Sequence, residues 1–99
     1  MSIDTDEQID VSFETEKAKK YNLVFHNDEV TPFDFVIFLL VEVIGKDEET
    51  AYNLTMSIHN SDAAAVEQGL KPEMLDLQGK IKEIVEEEGM TFKTSIEEA

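Results

Sequence analysis

The stretch Tyr21–Phe35 decides the fold of this chain, and it reads Tyr-Asn-Leu-Val-Phe-His-Asn-Asp-Glu-Val-Thr-Pro-Phe-Asp-Phe. An apolar, strand-like run leads into a polar turn, and the start of a helix follows directly. Thr31 is predicted as the N-cap, because its hydroxyl can accept from a backbone N–H of the first turn. Pro32 suits the first helical position, and Asp34 suits the third, where a carboxylate can complete a capping box. This helix start therefore fixes where the side chains of the preceding turn point.

Hydrophobic periodicity and helix-stop residues predict the elements that follow. The segment Ala63–Leu70 is the weakest, since Ala and Gly are poor strand formers. The order strand, helix, helix, weak strand, helix, strand predicts an α+β domain with helices on one side of an antiparallel sheet. The predicted bounds are a strand over Tyr21–His26, a first helix from about Pro32 to Ile44 before Gly45, a second from the N-cap Asp47 to about Asn60, a third from Pro72 to Glu88 before Gly89, and an edge strand over Thr91–Ile96.

The charge of the chain limits its partners. Its 99 residues contain 23 acidic and 8 basic side chains, which gives a net charge of −15. All of the basic residues are Lys. Nucleic acid and anionic membranes are excluded as partners, because both need clustered Lys and Arg. Cationic partners are favoured instead.

Length and composition predict one domain over residues 21–99, preceded by a flexible acidic tail over residues 1–20. The longest apolar run, Phe35–Val41, is too short to span a bilayer. The beginning of the sequence lacks the basic-then-apolar pattern of a signal peptide. We therefore expect a cytoplasmic protein.

The residues Asn27, Asp28 and His59 form the candidate binding site. An amide carbonyl, a carboxylate and a neutral imidazole are all acceptors. Together they match an ammonium group, such as a free α-amino group with a pKa near 8. Taken separately, Asn27-Asp28 is more often only a turn, and a lone His at a helix end is more often a cap or a core residue.

Catalytic, cofactor and metal chemistry find little support. The sequence has no Gly-rich phosphate loop, no Ser or Cys nucleophile motif and no two-His metal motif. With no Cys, thiolate sites are excluded as well. The oxygen and nitrogen donors His26, Asp28, Glu29 and His59 match the spacing of no dedicated metal site. We therefore predict neither an enzyme nor a bound cofactor or metal.

The motif Asn-Asp-acidic-x-Thr-Pro over residues 27–32, followed by x-acidic-Phe-Val, resembles the ClpS family. Met-Ser-Ile-His at residues 56–59 and the closing Glu-Glu-Ala extend the resemblance over roughly Tyr21–Ala99. ClpS proteins are adaptors that hand N-degron substrates to a Clp AAA+ protease. The resemblance implies a β-α-α-β-α-β domain whose three-stranded antiparallel sheet carries three helices on one side. It also implies that Ala63–Leu70 is a strand.

The resemblance further implies how the ligand is held. Asn27, Asp28 and His59 match the positions that bind the substrate's α-amino group. The positions implied for the hydrophobic pocket are Thr31, Phe33, Val36, Thr55, Ile58 and Phe92. Family members usually have Met at the position of Phe33, and commonly a larger apolar residue at that of Thr55. The implied ligands are proteins with Leu, Phe, Tyr or Trp at the N-terminus.

The implied partner is the N-terminal domain of a ClpA- or ClpC-type unfoldase. The family's acidic and Lys docking positions are occupied here by Pro72 and Leu77, with Lys71, Glu73 and Lys80 nearby. One alternative is therefore a degenerate relative that binds N-degrons but inhibits or redirects delivery. The other is an acidic interaction domain resembling the C-terminal domain of the ribosomal stalk protein.

Overall fold

The computed structural model describes residues 19–99 of the chain. Within this range three strands and three helical regions follow one another, and the predicted tail lies outside it except for Lys19 and Lys20. The bounds are β1 Lys20–His26, α1 Phe33–Phe38 continued by a π-helical segment Leu39–Ile44, α2 Glu48–Ser61, β2 Ala63–Leu70, α3 Lys71–Glu87 and β3 Lys93–Glu98.

In the described residues the strands form one antiparallel sheet with the order β2-β1-β3, so that β1 is central. Leu23 lies opposite Ile96 on β3. On the β2 side the register shifts between Leu23 and Val24, which pair with Glu67 and Ala65. The register skips Val66, which is the extra residue of a β-bulge. The Ala-rich segment is therefore a strand, as predicted, because pairing with β1 outweighs its low propensity.

The hydrophobic core lies between the sheet and the helices. Leu23 and Phe25 alternate along β1 and are fully buried. Leu39, Leu40 and Ile81 meet them from the helical side and are also fully buried. Adjacent buried residues such as Leu39 and Leu40 fit a helix that is enclosed on more than one side. These observations confirm the α+β domain with its helices on one side of the sheet.

The start of α1 differs from the prediction. Pro32, in an extended conformation, is the N-cap residue, and its carbonyl accepts from the N–H groups of Phe35 and Val36. The Thr31 hydroxyl does not cap the helix but donates to Asp28 Oδ2 at 2.8 Å. Three predictions were therefore wrong: the Thr31 N-cap, Pro32 at the first helical position and the capping box with Asp34. The hydroxyl forms a stronger hydrogen bond as a donor to the charged carboxylate than it would form as an acceptor from a helix N–H.

The other helix ends follow the prediction more closely. Asp47 caps α2, since its Oδ1 accepts from the Thr50 N–H at 2.7 Å. Gly45 and Gly89, which follow the first and third helical regions, have φ angles of 92° and 69°. These left-handed conformations suit Gly because it has no Cβ. The last strand begins at Lys93, two residues later than predicted.

Two glycines test the role of backbone conformation in stability. A Cβ built on Gly45 or on Gly79, which lies inside α3, meets no atom within 4 Å. Gly45→Ala should nevertheless destabilise the domain by about 1 kcal/mol, because φ is positive there. Gly79→Ala should stabilise it by about 0.5–1 kcal/mol, because Ala is the better helix former. Urea denaturation of the two variants measures both effects, and changes of the same sign would contradict the argument.

Candidate functional site

The carboxylate of Asp28 is the centre of the β1–α1 turn. Its Oδ1 accepts from the Val30 N–H at 3.2 Å. Its Oδ2 accepts from the hydroxyls of Thr31 at 2.8 Å and Thr91 at 2.5 Å. The Thr31 N–H also donates to the Asp28 carbonyl at 3.1 Å, which closes the turn. The side chain is therefore held in one orientation by donors from its own turn and from the loop before β3.

These contacts keep Asp28 ionised. The hydrogen bond from Thr91 is the largest cause of its lowered pKa, and burial, the next largest, acts in the opposite direction. The Thr31 hydroxyl, the Val30 N–H and the charge of Lys93 lower the pKa further. A carboxylate offers about four acceptor sites, and three are used here. Oδ1 thus has room for one more donor.

Asn27 connects this turn to the end of α2. Its N–H donates to the carbonyl of Asp62 at 2.7 Å. Asp62 is the C-cap of α2, with a left-handed φ of 72°. His59 lies in the last turn of the same helix, three residues earlier. The turn that carries Asn27 and Asp28 is therefore fixed against the helix end that carries His59.

A second contact joins the same parts of the molecule. The ring of Phe33, in the first turn of α1, lies edge-on to the imidazole of His59, with centroids 5.2 Å apart. His59 is exposed, and Phe33 is 39% exposed. Thr31 binds Asp28 and precedes Phe33 by two residues, and Phe33 contacts His59. Asp28 and His59 therefore lie at one corner of the domain. We call the surface formed by Asn27, Asp28 and His59 the acceptor corner.

The predicted pocket residues differ in exposure. Phe33 is the only one of the six with a large exposed area, whereas Thr31, Val36, Thr55, Ile58 and Phe92 are all at most 6% exposed. Val36, Ile58 and Phe92 belong to the core. The Thr55 hydroxyl donates to the Ala51 carbonyl at 2.8 Å, which satisfies it inside the apolar interior. These five side chains are therefore buried in the domain, and the role of the six residues as a ligand pocket remains a prediction.

The sequence did not point to Thr91 or Lys93 as site residues. Both line a cavity of about 320 Å³ together with His26, Asn27 and Asp28. Thr91 is 63 residues from Asp28 along the chain, so no local pattern could link them. His26, which had no assigned role, contacts the Ser95 hydroxyl through Nε2 at 2.7 Å.

The charged residues near the predicted docking positions have partners within the domain. Lys71 Nζ lies 5.4 Å from the centre of the Tyr21 ring. The Glu73 carboxylate accepts from the Leu70 N–H at 3.2 Å, and Lys80 pairs with Asp76 at 3.3 Å. Lys71, Glu73 and Lys80 thus have contacts within the domain.

Two absences hold for the part of the chain that the structure describes. In residues 19–99, no three His, Asp or Glu side chains are grouped so that they could share a metal ion. None of the helices in that range has the length and apolar character needed to cross a membrane.

Comparisons with known proteins define the class of this domain. The family model described as "ATP-dependent Clp protease adaptor protein ClpS" matches residues 16–95. The chain therefore belongs to the ClpS family, and the sequence-based identification is confirmed.

Individual relatives agree with this assignment. The ATP-dependent Clp protease adapter protein ClpS of Clostridium acetobutylicum is 36% identical over 63 residues, which span 62% of each chain. That of Nautilia profundicola is 44% identical over 48 residues, or 48% of this chain and 50% of the relative. The matches thus cover less than two thirds of these relatives' length.

A solved structure shares the fold. Agrobacterium tumefaciens ClpS2 bound to L-phenylalaninamide superposes with a TM-score of 0.79 at 23% sequence identity. The alignment covers 83% of this chain and 99% of that one. This likeness confirms the fold of the domain.

Thr91→Val tests how Asp28 is kept ionised. Removing the hydroxyl should raise the pKa of Asp28 towards its ordinary value, because the largest cause of its lowering is lost. NMR titration of the carboxyl carbons measures the change. Asp47 is an internal control, since its pKa is lowered by the hydroxyl and N–H of Thr50. An unchanged Asp28 midpoint would contradict the assignment.

Proposed function

We propose that this chain is a non-catalytic adaptor that binds N-degron substrates for a Clp-type AAA+ protease. The observation that carries the proposal is the Asp28 carboxylate, oriented and kept ionised by three donors with one acceptor position left. A site made to hold a cation needs a fixed, charged acceptor of this kind. Membership of the ClpS family supports the same conclusion.

The acceptor corner suits a free α-amino group. An ammonium has three N–H donors, and Asn27, Asp28 and His59 supply an amide carbonyl, a carboxylate and an imidazole nitrogen as acceptors. Hydrogen bonds to a charged group contribute about 1.5–3 kcal/mol each. An N-terminal amine is exposed in every substrate, so these bonds alone do not distinguish one protein from another.

Selectivity in the proposal comes from the first side chain. We assign it to the apolar surroundings of the corner, formed by Phe33 above and Val36, Thr55 and Ile58 below. Burial of a Leu- or Phe-sized side chain contributes about 1.5–3 kcal/mol. Together with the amine contacts this reaches about −8 kcal/mol, which corresponds to micromolar affinity. Substrates beginning with Leu, Phe, Tyr or Trp fit this arrangement, and the ligand named for the similar structure, L-phenylalaninamide, has both a free α-amine and a phenyl group.

Calorimetry with a Leu-starting peptide tests the amine contact. The free peptide should bind and its N-acetylated form should not, because acetylation removes the cation that Asp28 requires. Asp28→Asn should weaken binding of the free peptide about 10- to 100-fold, the equivalent of one charged hydrogen bond.

Glu29→Gln is the matched control for that variant. It removes the same charge from an exposed neighbouring residue, and it should leave affinity nearly unchanged. Equal affinities for the free and acetylated peptides would contradict the proposed site.

For delivery, we propose docking on the N-terminal domain of a ClpA- or ClpC-type unfoldase. Pro72 and Leu77 occupy the positions where the family's acidic and Lys docking residues are expected. This observation favours an altered docking surface, and inhibition of delivery is the second candidate function.

A reconstituted degradation assay separates the two functions. An adaptor should accelerate degradation of a Leu-starting reporter by the Clp protease, and Asp28→Asn should abolish the acceleration. An inhibitor should bind the reporter and slow its degradation. If adding the chain leaves the degradation rate of the reporter unchanged with both the ClpA-type and the ClpC-type unfoldase, delivery to these proteases is excluded.

A further inference from the structure

We propose that the cavity next to the acceptor corner binds a carboxylate side chain at the second position of the substrate. The cavity is lined by His26, Asn27, Asp28, Thr91 and Lys93. Asn27 and Asp28 are thus shared by this cavity and the acceptor corner. The inference rests on the proposed function, since the substrate's α-amine must occupy the corner.

Lys93 supplies the cation in this cavity. It lies on the edge strand β3 directly opposite His26 on β1, and it is exposed. Among residues 19–99, the carboxylates within 4.0 Å of a Lys belong to pairs formed by Lys19, Lys46 and Lys80. The Lys93 ammonium therefore has no close carboxylate in the described part of the chain.

His26 and Ser95 form the fixed wall beside this cation. They lie on the same face of the sheet as Lys93, and the His26 Nε2 is 2.7 Å from the Ser95 hydroxyl. This cross-strand contact holds the imidazole against β3 and leaves the Lys93 side chain next to an open cavity of about 320 Å³. That volume accommodates an Asp side chain with its water molecules.

Binding of an α-ammonium at the acceptor corner changes the electrostatic potential at the second residue of the ligand. In the free protein Asp28 and Lys93 act on each other electrostatically, since Lys93 contributes to the lowered pKa of Asp28. A bound α-ammonium offsets the charge of Asp28, so that the positive charge of Lys93 is no longer balanced. The Cα atom of the next residue lies about 3.8 Å further along the ligand, and a carboxylate carried by that residue can then pair with Lys93.

In the proposed binding mode the first two side chains of the ligand lie on opposite sides of the corner. The first side chain lies towards Phe33 and His59, on the α1–α2 side. The cavity lies on the β1–β3 side, because Thr91 and Lys93 lead into β3. A ligand whose amine is held between the two sides can therefore place its first side chain on one and its second on the other.

Calorimetry with two peptides that differ only at the second residue, Leu-Asp and Leu-Asn, tests the inference. The wild type should prefer Leu-Asp about two- to five-fold, which is the range of an exposed ion pair. The preference should disappear at 1 M salt, where the Debye length is about 3 Å. Lys93→Met should abolish the preference for Leu-Asp over Leu-Asn.

Lys20→Met is the matched control. It removes the same charge at the other end of β1, six residues from His26 and so about 20 Å away. It should retain the wild-type preference for Leu-Asp. Thermal melting of both variants verifies that the domain stays folded.

The possible failures are distinguishable. Equal binding of the two peptides by the wild type, or a preference that survives Lys93→Met, overturns the second-position site alone. Equal loss of the preference in both Lys variants shows a long-range charge effect and also overturns it. If neither peptide binds while the wild type is folded, the α-amine site itself fails, and the inference fails with it.

Discussion

The arrangement of the acceptor corner depends on one carboxylate and the three donors that hold it. Asp28 accepts from the Val30 N–H and from the hydroxyls of Thr31 and Thr91. The first two donors belong to its own turn, but Thr91 comes from the loop between α3 and β3. The bond from Thr91 therefore ties the two ends of the domain's sequence together at the site. It is also the largest single cause of the lowered pKa of Asp28.

This arrangement explains why Thr31 does not cap the helix. A hydroxyl next to a helix start can accept from a free N–H or donate to another acceptor. The ionised Asp28 is the stronger partner, and Pro32 already supplies a carbonyl that accepts from the first turn. The local sequence thus stabilises the turn at the expense of a helix cap. For the proposed function, the consequence is a carboxylate whose direction is fixed before a ligand binds, which would lower the entropic cost of binding.

The charge of the whole chain and the charge of the corner act at different distances. A net charge of −15 attracts cationic groups from solution over about a Debye length and raises their rate of encounter. It does not select among them. Several lysines of the described domain pair with nearby carboxylates, such as Lys46 with Glu67 at 2.7 Å. Lys93 differs, because it faces a cavity that it shares with Asp28.

The sequence by itself determined the order of the elements, the strand over Ala63–Leu70 through its resemblance to the ClpS family, and the family to which the chain belongs. The order of the other elements and the family are set by local signals: apolar periodicity, caps such as Asp47 and Gly45, and a contiguous motif around Asn27 and Asp28. Only the tertiary structure decided which groups surround the Asp28 carboxylate. Thr91 and Lys93 reach it from more than 60 residues away, because β3 pairs with β1 in a register that no neighbouring residue specifies. On the other edge of β1, long-range pairing stabilises the Ala-rich segment as a strand, since ladder hydrogen bonds and burial against β1 outweigh local preference.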